Sequence, residues 1–178
     1  MQVLDKIISN FINNKSLYIG EKVTMSEHMI QTAMLAEKAK CGDDLICSSL
    51  LHDYGHFILE NPDDLVKLNV DGQHENIGYE YLKSFFKKEI LEPIKYHVLA
   101  KRYLANDKKY FDLLSEASKT SLKLQGGALN PEECNKFEAQ EYFKPSILLR
   151  KFDEAAKRTD LKMKSIHDYK KLLTYKLI

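Results

Sequence analysis

Leu50-Leu51-His52-Asp53-Tyr54-Gly55-His56 places an adjacent histidine and aspartate between an apolar pair and a glycine. Upstream of it Leu45, Ile46, Ser49 and Leu50 recur at helical spacing, so His52 and Asp53 fall at the end of a helix that Gly55 closes. An aspartate beside a histidine can bridge two metal ions about 3.5–4 Å apart. Outward along the chain, His28, His74, His97 and Asp153 extend the pair to a set of six candidate ligands. That is more than one ion with an open position needs, and imidazole with carboxylate suits iron, zinc, manganese or a similar divalent ion.

The same helical periodicity runs through nearly all of the sequence, with no convincing strand pair, repeat or low-complexity linker. The spacing predicts a first helix over 2–13, a loop at 17–21, and a second helix opened by the capping box Thr24…Glu27, with His28 in its first turn. Gly42 and Asp43 precede the helix that ends at His52-Asp53. Residues 59–73, with Asn61-Pro62-Asp63-Asp64 and Asp71-Gly72, read as a loop over the site or a short broken helix. His74 then opens a helix through Phe85, and another over 89–105 carries His97 and Lys101, four apart on one face. Ser115-Glu116-Ala117-Ser118 starts a helix that stops at Gly126-Gly127, and Asn130-Pro131-Glu132-Glu133 is a further N-terminal signature. A last major helix over 145–158 aligns Arg150, Asp153 and Lys157. The expectation is an all-α bundle, one domain over 1–178, with a binuclear metal site in its core.

A chain of 178 residues is within the usual range for one domain. Lys and Arg (27) balance Asp and Glu (26), so composition gives no sign of a nucleic-acid surface. Cys41, Cys47 and Cys134 form an odd set without C-x-x-C spacing, which fits a reducing compartment and makes the cytoplasm the expected location. No stretch approaches the roughly 20 apolar residues that span a bilayer. Any basic group that matters is therefore local to a pocket. Lys101, Arg150 and Lys157 share faces with candidate metal ligands, and cations one turn from such ligands can hold a phosphate or phosphonate by charge-assisted hydrogen bonds. His167, in Ser165-Ile166-His167-Asp168, opens a helix without partner histidines downstream and reads as an ordinary residue.

The series His28…His52-Asp53…Asp153 resembles the metal-binding signature of the HD-domain superfamily, whose members are helical and mostly phosphohydrolases. With His74 and His97 added it resembles the binuclear subset, and within that the mixed-valent di-iron oxygenases related to myo-inositol oxygenase. It looks most like their branch that cleaves the C–P bond of 2-amino-1-hydroxyethylphosphonate. The residues that carry this are Tyr18-Ile19-Gly20-Glu21, Leu50 to His56, His97 to Leu104, Ser115 to Ser118, Gln125-Gly126-Gly127 and Arg150 to Asp153, which together span about 17–160. His56 stands where many cyclic-dinucleotide phosphodiesterases of the superfamily carry lysine, which counts against that branch.

The resemblance implies two iron ions, Fe(II) and Fe(III), with O2 as co-substrate. His28, His52, Asp53 and Asp153 would bind one iron, and Asp53 would bridge to a second held by His74 and His97. Tyr18 would occupy the second iron until substrate arrives. Glu21 would then meet the substrate ammonium, and His56, Lys101, Ser118 and Arg150 would surround the phosphonate. The implied products are glycine and phosphate, and the implied partner is an upstream 2-oxoglutarate-dependent hydroxylase. Alternatives are the related oxygenase of the N-trimethylated 1-hydroxyphosphonate, a metal-dependent HD phosphohydrolase, and a degenerate HD module that senses a phosphorylated ligand.

Overall fold

The computed structural model describes residues 2–18, 20–59 and 73–178; most of the expected loop at 59–73 thus lies outside the described residues. Ten α-helices follow one another among them: α1 (Val3–Asn13), α2 (Met25–Lys38), α3 (Asp43–Leu51), α4 (His74–Leu82), α5 (Lys88–Leu104), α6 (Lys108–Leu113), α7 (Glu116–Leu124), α8 (Pro131–Glu138), α9 (Phe143–Ala155) and α10 (Lys170–Lys176). Short 3-10 turns cover Tyr54–Phe57 and Ile166–Tyr169. The described residues hold no strand; their one β feature outside the helices is an isolated bridge between Leu17 and Thr24. No described helix is long and apolar enough to cross a membrane.

Local signals explain several helix starts. Thr24 Oγ1 accepts from the Glu27 amide at 3.2 Å and Glu27 Oε2 accepts from the Thr24 amide at 2.7 Å, so the box satisfies two donors that α2 would leave free. Asn130 and Glu133 do the same for α8. Helix α9 begins at Phe143, two residues before the expected start at 145. Pro145 is compatible with that, because first-turn amides have no intrahelical partner to lose.

Helices α3 and α9 pack against each other and each against α2 and α5, and α4 lies against α5 and the Tyr54–Phe57 turn. One apolar cluster joins Ile7 and Phe11 of α1, Met29 and Ala33 of α2, Leu50 and Leu51 of α3, Ile94 of α5, and Ile166, Tyr169 and Leu173 near the C-terminus. Each such aliphatic side chain contributes roughly 1.5–3 kcal/mol of burial. A smaller cluster of Ala100, Leu129 and Phe137 ties α5 to α8 and α9.

Three helix ends also differ from the expected ones. Helix α3 ends at Leu51, so His52 is its C-cap and Asp53 precedes the 3-10 turn. Gly55 does more than close that helix: a Cβ there would sit 1.9 Å from the His74 carbonyl oxygen and 2.9 Å from the Gly78 amide nitrogen. The turn and α4 can approach this closely only without a side chain at Gly55. Helix α4 stops at Leu82 instead of reaching Phe85. Helix α9 ends at Ala155, leaving Lys157 beyond it. The cause lies on α2, where His28 Nδ1 donates to the Ala156 carbonyl at 2.9 Å and the Gln31 side chain both donates to the Arg158 carbonyl (2.7 Å) and accepts from its amide (3.0 Å).

Candidate metal centre and anion pocket

Five elements deliver ligand-type side chains to one point in the core. His28 comes from the first turn of α2, His52 and Asp53 from the end of α3, His74 from the first residue of α4, His97 from the middle of α5 and Asp153 from the last turn of α9. They form two triads, His28 with His52 and Asp153, and Asp53 with His74 and His97. Asp53 faces both. Its Oδ2 lies 3.5 Å from His28 Nε2 and 3.3 Å from His52 Nε2, while its Oδ1 lies 3.2 Å from His74 Nε2 and 3.4 Å from His97 Nε2. Asp153 Oδ1 is 3.3 Å from His28 Nε2.

Whether these residues fit metal ions follows from where their protons go. His28, His52 and His97 donate Nδ1–H to the carbonyls of Ala156, Ser49 and Ile94, at 2.9, 2.9 and 2.6 Å. A carbonyl only accepts, so the neutral rings point bare Nε2 lone pairs inward. Those lone pairs are crowded: His28 and His52 Nε2 are 3.2 Å apart, and His97 Nε2 has His74 Nε2 at 3.0 Å. Asp153 Oδ1 is buried without a hydrogen-bond donor. Convergent acceptors at these distances repel one another unless a cation sits among them, so the donor set fits two divalent ions. Burial opposes the charge on Asp153, which the Arg150 guanidinium holds well below the usual carboxylate range.

Next to the first triad is a chain of alternating charges. Arg150, 3% exposed, donates through Nη1 to Asp153 Oδ2, through Nη2 to Glu154 Oε2 and through Nε to the Tyr110 hydroxyl at 2.8 Å. Ser118 Oγ donates to Glu154 Oε2 at 3.1 Å. Lys157 Nζ reaches Glu154 Oε1 at 2.7 Å, Ser118 Oγ at 3.0 Å and Ser115 Oγ at 3.2 Å, and lies 3.2 Å from Glu21 Oε1. Gly20, at φ +74°, presses against Ala117, where a Cβ on residue 20 would lie 2.5 Å from the alanine Cβ. That close approach carries Glu21 to Lys157.

The other expected site residues are more dispersed. Lys101 is 5% exposed and donates to Ser121 Oγ (2.6 Å) and Gln125 Oε1 (3.0 Å); burial and the nearby Arg150 push its pKa down to about 7. His56 stacks on His74 with ring centroids 4.2 Å apart, and its Nδ1 is buried without a partner. Burial, aided by His74, pushes His56 down to about 3, so the ring is neutral. Tyr18 lies flat on His28, at 3.9 Å and 8° between planes. The resemblance puts its counterpart on the second ion, whereas here the ring rests on a member of the first triad. Sequence reasoning missed Glu154 and Tyr110. Glu154 had a signal, because it stands four residues after Arg150 and three before Lys157; Tyr110, on the unexpected α6, had none.

Residues 25–134 match the HD domain family model. The chain is 46% identical over 145 residues to the "[1-hydroxy-2-(trimethylamino)ethyl]phosphonate dioxygenase (glycine-betaine-forming)" of Leisingera caerulea, covering 81% of this chain and 74% of that one. It is 40% identical over 154 residues to the hydroxymethylphosphonate dioxygenase of Gimesia maris, covering 85% and 77%. An uncharacterized protein of Acanthamoeba polyphaga mimivirus is 38% identical over 160 residues, covering 88% and 73%. A helical core in which an adjacent His-Asp pair joins two ligand triads, together with these matches, makes the chain a member of the HD-domain family, on the branch that holds dioxygenases.

Proposed function

We propose that this single HD domain is a di-iron dioxygenase that cleaves the C–P bond of 2-amino-1-hydroxyethylphosphonate to give glycine and phosphate. The observation that supports it most is Asp53, whose two oxygens face two separate groups of histidine Nε2 atoms. His28, His52, Asp53 and Asp153 would hold one iron, and His74 and His97, with Asp53 between, the other. An Fe(II)/Fe(III) pair bound there would supply O2 binding and the redox steps. The atoms balance without another reductant, because substrate plus O2 has the composition of glycine plus phosphate.

The protein's own share is binding and positioning. Arg150, Ser118, Lys101 and His56 orient the phosphonate, and Glu21 accepts hydrogen bonds from the ammonium. Burial of the site excludes bulk water, which favours oxidation over loss of reactive species to solvent. A primary ammonium gives a carboxylate three donors, whereas a trimethylammonium gives none, so Glu21 favours the primary amine. The similarity to the Leisingera enzyme supports the N-trimethylated substrate as the second reading. An upstream 2-oxoglutarate-dependent hydroxylase in the same cytoplasm would supply the 1-hydroxyl.

Iron loading without oxygen, followed by aerobic addition of each candidate phosphonate, tests the reading when oxygen uptake and phosphate release are followed together. Equal molar consumption of O2 and release of phosphate, with glycine formed, is expected. Phosphate release without oxygen uptake would instead identify a hydrolase, and faster turnover of the trimethyl compound would reassign the substrate.

A further inference from the structure

Resting on that reading, we infer that Glu154 and Lys157 form an internal zwitterion that stands in the places of the substrate's phosphonate and ammonium until substrate displaces both. The order of charges carries the argument: Arg150, Glu154, Lys157 and Glu21 form one alternating chain. Arg150 and Ser118, which would orient a phosphonate, both spend donors on Glu154 Oε2. Glu21, which would meet an ammonium, has Lys157 Nζ at 3.2 Å, and its Oε1 is buried without a hydrogen-bonded donor. A carboxylate thus sits where the anion belongs and an ammonium where the cation belongs.

The two stand-ins are also built to leave together. Glu154 and Lys157 are three residues apart and bonded directly at 2.7 Å, so they stay paired when both move away. Their side chains are each 13% exposed, against 4% for Arg150, which places the movable pair toward solvent and the fixed guanidinium inside. Lys157 lies past the end of α9, on non-helical backbone. Entry of an aminophosphonate exchanges one anion on Arg150 for another and one ammonium on Glu21 for another, and leaves no buried charge alone. A ligand carrying only the anion frees Arg150 from Glu154 but gains nothing at Glu21.

Calorimetric titration of the metal-loaded protein under nitrogen tests this with 2-aminoethylphosphonate and ethylphosphonate, which both lack the 1-hydroxyl. Loss of the competing carboxylate in E154Q should tighten ethylphosphonate by about tenfold, the value of one charge-assisted contact. Loss of the competing ammonium in K157M should raise the preference for 2-aminoethylphosphonate over ethylphosphonate, again by about tenfold. Unchanged or weaker ethylphosphonate binding in E154Q, or an unchanged or smaller preference in K157M, overturns the inference. If E154Q does not fold, E154D serves, since it keeps the charge but withdraws it from Arg150. R150A separates the two levels of the argument. If R150A binds ethylphosphonate as the wild type does, the anion seat is elsewhere and the functional reading falls too; if R150A loses binding while E154Q gains none, the stand-in alone falls.

Discussion

His97 fixes its tautomer through the Ile94 carbonyl and aims Nε2 at Asp53 and His74, so its loss removes a donor from only one of the two triads. Replacing His97 or His74 by alanine should lower metal content from two ions per chain to one, as measured by elemental analysis of protein loaded without oxygen; two ions retained would show that the second triad holds none. Lys101 poses the opposite problem, a buried cation beside another cation. Its folded pKa of about 7 is below the ordinary lysine value of 10.5, so between those limits the folded state binds fewer protons than the unfolded one and stability rises with pH. Lys101→Met should therefore stabilise the protein, by roughly 1–4 kcal/mol, most below pH 7 and progressively less toward pH 10.5. Denaturant titrations at pH 6 and pH 9 read the difference, and a loss of stability at pH 6 would contradict it. The same variant should bind a phosphonate more weakly by a factor of about ten to a hundred.

Helix α4 meets the Tyr54–Phe57 turn through the backbones of Gly55 and His74, and that approach is what brings His74 to Asp53. Gly55→Ala should force the two elements apart, cost roughly 1–3 kcal/mol, and empty the second triad while the first keeps its ion. Thermal melting and metal analysis together check it; full occupancy of both triads would mean that the turn can shift without carrying His74 away. Elements of this kind divide by how far their causes reach along the chain. The capping boxes at Thr24 and Asn130 are written within four residues, and so the starts of α2 and α8 were legible. The long face of α5 that carries His97 and Lys101 was legible for the same reason. The end of α9 was not, because Gln31 stops it from 127 positions away. That error placed Lys157 on a helical face with Arg150 and Asp153, whereas it leaves the helix and returns to α7 and Glu21. The six candidate ligands and the bridging place of Asp53 could be read from residue type and the family resemblance, but which histidines each Asp53 oxygen meets depends on how five elements come together.

Across the whole molecule, α2, α3, α4, α5 and α9 each bring a side chain to the ligand cluster, so bound ions would act as a common tie among them. Removing metal with a chelator should lower the melting temperature by several degrees, since ions present at a hundred times their dissociation constant contribute about 2.7 kcal/mol. An unchanged melting temperature would mean that no ion bridges these helices. Helix α9 has a separate consequence, because it carries Arg150 and Asp153 within one turn and binds them to each other. With a rise of about 1.5 Å per residue their backbones are about 4.5 Å apart along the axis, and the bond between the two side chains ties the proposed anion seat to the metal ligand. Selection by reach follows. A phosphate monoester carries one more atom, the ester oxygen, between its phosphorus and its first carbon than a phosphonate does. If the phosphonate is seated at Arg150 as proposed, the carbon of a monoester would lie one bond farther from that seat, and the many sugar and alcohol phosphates of a cell would be passed over by length, although their charge is right.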